Sequence, residues 1–200
     1  MGERGRPRGF DRDAVLRQAM VAFWSNGYEG TSMTDLTTAM GIASPSIYAC
    51  FGSKEQLFRA AVALYDSIAG NPARLALDQA PVAREAVHGM LSMSADFYAD
   101  PAYPPGCMVV TAARTGIGPD VQAFLADLRQ GMQAAIAARL RRAVDEGDLP
   151  GTATVDTMAA FYTTVQQGMS IQARDGATRT DLEAIVTAAM SAWEPLAAIP

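Results

Sequence analysis

Small hydroxyl groups, one phenol and one ammonium are set out at short intervals between Thr31 and Lys54. Ser44, Ser46 and Tyr48 stand close together, and Lys54, the sole lysine of the chain, follows a few residues later. Serine hydroxyls donate and accept, a phenol O–H donates, and an ammonium supplies a positive charge with three donors. Together they suit the gripping of phosphate oxygens and the reading of base edges. Lys54 follows Ser53 in S-K-E-Q, at a helix start whose unpaired N–H groups already favour an anion. A cation there does little for the helix dipole, so its position suits a phosphate better than it suits helix stability.

Positioning these groups requires short, tightly punctuated helices. Asp11 is the expected N-cap of the first, with Phe10 stapled against Val15, an apolar face at Val15, Leu16, Ala19, Met20 and Phe23, and Gly27 closing it. Ser32 opens a second helix with Asp35 in its first turn, and Gly41 ends it. Ser44 is the expected cap of a third, with Pro45 in its first turn, and Gly52 stops it. Ser53 and Gln56 form a capping box for a fourth, which runs to about Ala69 before Gly70, Asn71 and Pro72 break it. Further helices are expected to about Asp100 after Pro81, then near 108–115, 120–146, 154–174 and 180–197, the last opened by T-D-L-E at Thr180. The run Cys107 to Thr111 leans toward strand but is too short and isolated to build a sheet. The fold class is therefore all-α. A third helix propped by the second is the geometry that places side chains in a major groove about 12 Å wide.

Half of the 200 residues are apolar, enough to bury a real core. The net charge of −5 argues at first against nucleic acid, but it is uneven. Residues 1–60 hold seven Lys+Arg against six Asp+Glu, so the acidic excess lies wholly in residues 61–200. Arg4, Arg6 and Arg8 precede the first helix and suit either a minor-groove arm or plain solvated charge. Acid–base or metal chemistry has little to work with: there is one histidine, His88, no paired carboxylate motif and no glycine-rich phosphate loop. Cys50 and Cys107 are too few for a disulfide framework or a cysteine-only metal site. No metal or cofactor is expected. No run of 18 apolar residues is present and the N-terminus carries no secretory pattern, so a soluble cytoplasmic protein is expected. Scarce lysine beside abundant arginine and alanine points to a GC-rich bacterial genome.

The order G-Y-x-x-T (Gly27–Thr31), a helix ending in Gly41-Ile42, S-I-Y-x-x-F (Ser46–Phe51) and S-K-E-x-L-F (Ser53–Phe58) resembles the DNA-binding domain of TetR-type transcriptional repressors. The resemblance covers about residues 10–60. It implies a three-helix helix-turn-helix domain at 1–52, with the basic arm at 1–9, and a larger helical effector-binding and dimerisation domain at 53–200. Thr31, Ser32 and Met33 correspond to phosphate-contacting positions, with Met33 departing from the usual hydroxyl residue. Ser44, Pro45, Ser46 and Ala49 match base-facing and groove-facing positions, and Tyr48 and Lys54 match the pair that grips the backbone. Ala49 offers only a methyl, which suits a thymine methyl or shape readout.

The family's larger domain implies a homodimer and a small effector. Stripes on the last two long helices suit a four-helix interface: Val155, Met158, Tyr162 and Met169 on one, Ile185, Ala189 and Trp193 on the other. Met90, Met93, Phe97, Met108, Arg114, Phe124, Phe161 and Gln166 are the candidate pocket residues, their methionines suiting an apolar or aromatic compound. Cys107 is read as a buried small hydrophobe, with a thiol sensor as the lesser alternative. The expected function is a ligand-responsive repressor bound to double-stranded operator DNA. An all-helical binding protein or enzyme without DNA-binding activity is the alternative.

Overall fold

The computed structural model describes residues 10–112 and 117–198, and every regular element among them is helical. Arg4, Arg6, Arg8 and Arg114 lie outside the described residues. Helix α1 (Arg12–Asn26) begins where Asp11 accepts from the Asp13 and Ala14 N–H groups, and ends at Gly27. Phe10 stays exposed, whereas Val15, Leu16, Ala19, Met20, Phe23 and Trp24 are buried. Helix α2 (Met33–Met40) carries a reciprocal capping box: Ser32 Oγ accepts from the Asp35 N–H and Asp35 accepts from the Ser32 N–H. Gly41 closes it in the left-handed region at φ 64°, which a glycine occupies without steric cost. Helix α3 (Ser44–Phe51) has Ala43 at its N-cap, so Ser44 is its first helical residue rather than its cap. The Ser44 hydroxyl is thereby not committed to capping. Helix α4 (Lys54–Tyr65) starts from Ser53, whose Oγ accepts from the Gln56 N–H at 3.0 Å.

The break expected at Gly70–Pro72 does not occur. Residues Asp66–Gly70 form a single π turn in which the Asn71 N–H reaches the Asp66 carbonyl, and α5 (Asn71–Gln79) follows directly. Proline lacks the N–H an α-turn would use and its ring clashes one turn back, so the wider turn lets the helix pass Pro72. Then come α6 (Ala83–Tyr98), the single turn α7 (Met108–Thr111), α8 (Pro119–Asp145), α9 (Val155–Arg174), α10 (Arg179–Ser191) and α11 (Trp193–Ala197). The strand-leaning run at 107–111 is helical. The last capping box is Thr178 with Asp181, two residues earlier than expected. Glu183, the acid of the expected box, instead pairs with Arg179 at 2.9 Å.

Two apolar cores result. One joins α1–α4 to α7 and the start of α8 through Phe23, Leu36, Ile47, Leu57, Phe58, Met108 and Leu125. The other joins α5, α6, α9, α10 and α11 to the second half of α8 through Leu77, Met90, Leu91, Ile136, Leu140, Tyr162 and Trp193. Burying one such large side chain contributes about 1.5–3 kcal/mol. Helix α8 runs through both cores. Helix α4 packs on α1 inside the first core, so a boundary between residues 52 and 53 cuts the chain but not the packing.

Candidate nucleic-acid interface

The turn between α2 and α3 sets the direction of the short α3. Gly41 N–H donates to Thr37 O at 3.0 Å, and Ile47 and Phe51 anchor α3 in the first core. Spacing along one helix then decides what faces outward. Pro45, Tyr48 and Ala49 are exposed, Tyr48 by 47%, and Ser44 and Ser46 are half-buried on the same helix. These five residues form one continuous face of hydroxyl, phenol, ring and methyl groups. Such a face has donors and acceptors for bases and phosphates, with no bulk to prevent close approach.

Lys54 stands at the first turn of α4, where the helix dipole repels a cation. Its Nζ lies over the Tyr28 ring, 4.4 Å from the centroid, and the ring quadrupole holds it there. Burial pushes the Lys54 ammonium below the usual lysine range, and the Glu29 carboxylate partly restores it. Tyr28 is itself fixed against Phe58, with ring centroids 5.0 Å apart, and against Phe23. The residue that orients Lys54 was thus visible as the tyrosine of G-Y-x-x-T. Its role was not, because the contact crosses from the end of α1 to α4.

The start of α2 divides differently from expectation. Met33 is half-buried against the first core, and its N–H is one of the free donors of the first turn. Ser32 is exposed, with its hydroxyl engaged to Asp35. Thr31 is fully buried, and its Oγ1 donates to the Gly27 carbonyl at 2.7 Å, so its side chain fixes the α1–α2 turn and is withheld from solvent.

A cavity of about 80 Å³ lies between α4, α5, α6, α7, α8 and α9. Of the expected pocket residues, Phe97 and Gln166 line it. Met90 and Met108 are wholly buried in the two cores, and Phe161 packs at the edge of the second. Phe124 sits beneath the Arg59 guanidinium at 4.4 Å, and Met93 is 40% exposed on the outside of α6. The other walls include Tyr65, Tyr98, Cys107, Val110, Met132 and the ion pair Asp66–Arg74. Sequence periodicity gave no access to them, because the expected helix break at Gly70 separated α4 from α5. Phe97 and Tyr65 also pack on Trp24 of α1, at 5.7 and 4.8 Å between centroids, so the cavity wall abuts the first core.

The expected interface stripes fall largely inward. Met158, Tyr162, Met169, Ala189 and Trp193 are buried in the chain's own second core, while Val155 and Ile185 keep partial exposure. Their size is the reason: the largest apolar side chains fill the subunit's own interior first. The outward strips of the same helices carry Thr164, Gly168 and Ile171 on α9, and Ala184, Ala188 and Ser191 on α10. No helix among the described residues is long and apolar enough to cross a membrane.

Residues 15–61 match the family model described as bacterial regulatory proteins, tetR family. Among curated proteins, the chain is 35% identical over 198 residues to the HTH-type transcriptional repressor ComR of Escherichia coli (strain K12), covering 96% of this chain and 93% of that one. It is 29% identical to the HTH-type transcriptional repressor BdcR of the same organism, covering 94% and 90%. Among solved structures it is similar to a cysteine mutant of the TetR family transcriptional regulator CifR complexed with 26 bp double-strand operator DNA. That likeness has 44% identity and a TM-score of 0.89, and covers 94% of this chain and 100% of the other. Identity at that level over almost the whole length, on a fold whose third helix presents a polar face beside a held lysine, makes this chain a DNA-binding transcriptional regulator belonging to the TetR family.

Proposed function

We propose that the protein is a homodimeric repressor that leaves its operator when a small effector fills the cavity beside α7. The exposed face of α3 next to the ring-held Lys54 is the observation that carries this reading. In each subunit α3 enters a major groove, and Tyr48, Lys54 and the free N–H groups at the start of α2 hold phosphates on either side. The repressor and operator named for its relatives support the same role here.

Residues 1–52 serve DNA in this reading, and residues 53–200 serve effector binding and pairing. Small outward residues such as Gly168, Ala184 and Ala188 suit α9 and α10 to close approach with their copies in a second subunit. Two subunits place their α3 helices in successive grooves about 34–36 Å apart. The effector shifts this separation only by as much as it prefers one conformation to the other, each 1.4 kcal/mol being about tenfold in affinity. The protein acts in the cytoplasm, by binding rather than by catalysis.

Selecting fragments of the protein's own genome on the purified chain tests the reading. A sequence-dependent, salt-sensitive complex that Tyr48→Ala and Lys54→Ala both weaken supports it. Retention of all fragments alike, or none, overturns it.

A further inference from the structure

A second cleft, sharing no lining residue with the effector cavity, opens between the end of α1, the loop before α7 and the end of α9. Trp24, Ser25, Pro104, Pro105, Thr111 and Arg174 line this space of about 330 Å³. Its walls are held in place. The Tyr103 N–H donates to the Asp100 carbonyl and the Gly106 N–H to the Tyr98 carbonyl, both at 3.1 Å, which fixes the loop that carries the two prolines. Gly106 has φ 80°, and a methyl group on it would stand 2.4 Å from the Ser170 carbonyl oxygen, so only glycine lets the loop lie this close to α9. Arg174 follows Ser170 by four residues, on the same face of α9. Trp24 is 3% exposed, with Phe97, Tyr103 and Tyr65 packed on its ring, and its buried Nε1–H has no acceptor among the described residues. Buried donors are nearly always paired, so an orphan in the wall of a cleft marks a place for an acceptor. Trp24 lines neither the effector cavity nor the groove outside α6. Arg174 is exposed and makes no ion pair among the described residues. Its place in the last turn of α9 suits the helix dipole, but the dipole does not account for the orphan N–H on the same cleft. No carboxylate lines the cleft, and Thr111 commits its hydroxyl to the Cys107 carbonyl at 2.8 Å. What remains is one guanidinium, one N–H donor and an apolar wall built from two proline rings.

We propose that this cleft is a second ligand site, for a small carboxylate with an apolar body. Arg174 pairs with the carboxylate, whose two oxygens match the guanidinium fork. Trp24 Nε1–H donates to one of those oxygens, and the rings of Pro104 and Pro105 cover the apolar body. A ligand held this way ties α1, which packs with the DNA-reading helices in the first core, to α9 of the second core. The site stands whether or not the effector cavity releases the protein from DNA.

Isothermal titration calorimetry of the full chain with benzoate tests this, with benzyl alcohol as the uncharged counterpart. Benzoate is expected to bind saturably, and benzyl alcohol about tenfold more weakly or worse. Arg174→Gln, at an exposed position, weakens benzoate about tenfold, and Arg174→Lys recovers part of the loss. In Trp193→Phe protein, where Trp24 is the sole tryptophan, the same titration changes the indole emission. Arg129→Gln alters the wall of the effector cavity and leaves the affinity for benzoate unchanged. No saturable binding of benzoate, equal binding of benzyl alcohol, an unaltered indole emission, or binding lost with Arg129→Gln and kept with Arg174→Gln overturns the site.

Discussion

Thr31 separates two accounts of the same position. As a phosphate contact it would add to DNA affinity; in the structure it is fully buried, with its hydroxyl on the Gly27 carbonyl at 2.7 Å. Gly27 is the C-cap of α1, with φ 76°, and no backbone N–H among the described residues reaches its carbonyl. Thr31→Val keeps shape and β-branching and removes only the donor. The carbonyl is then left unpaired in a buried site, at a cost of about 2 kcal/mol. For a chain of this length, at about 2–4 °C per kcal/mol, that is a fall of about 4–8 °C in melting temperature. Circular dichroism melts of wild type, Thr31→Val and Thr31→Ser at one protein concentration provide the assay, with Thr31→Ser expected to recover most of the loss. In parallel, fluorescence anisotropy against salt should give the same slope of log affinity for wild type and Thr31→Val. An unchanged melt with a slope reduced by about 0.9 per subunit, the signature of one lost phosphate contact, would refute the reasoning.

Lys54→Gln should do the opposite. In a dimer it removes two phosphate contacts and flattens the salt slope by about 1.8, weakening all DNA sequences alike, with a melting temperature close to wild type. The acid limb of stability should report the two capping boxes. Hydrogen bonds from the Ser32 and Thr178 side chains and N–H groups hold Asp35 and Asp181 below the usual carboxylate range. Their contribution is therefore complete above the ordinary Asp pKa and lost as pH falls through the lowered values, so Asp35→Asn should flatten the fall of melting temperature with acid. With Trp193→Phe leaving Trp24 as the sole tryptophan, filling the cavity should change Trp24 fluorescence, because Phe97 and Tyr65 line the cavity and pack on that indole. An unchanged spectrum at saturating ligand would place the ligand elsewhere.

The punctuation of α1 to α4 was legible because each stop and start is local chemistry. Asp11, Ser32 and Ser53 cap where they were expected to, and Gly27, Gly41 and Gly52 terminate. Ser44 misled because proline is tolerated at either of the first two helical positions, and the helix begins one residue earlier than a Ser44 cap implies. Pro72 misled because a π turn can absorb a proline that an α-turn cannot, and this hid the helical rod that carries Tyr65 and Arg74 to one cavity. Periodicity identified apolar stripes on α9 and α10 but not the direction of burial. Met158 and Tyr162 fill the subunit's own core, and of the residues named on the outward strips all but Ile171 are too small or too polar to stand out in a hydrophobic pattern. Thr31 was read from its neighbours in sequence, whereas its partner lies in the turn behind it.

The most direct test of the whole account is dimethyl sulfate protection of guanine N7 on a genomic fragment selected by the protein. The account predicts protection in two major-groove patches on one face of the duplex, about one helical turn apart, both lost with Lys54→Gln at moderate salt. A single patch, protection scattered around the duplex, or patches indifferent to Lys54→Gln would contradict it.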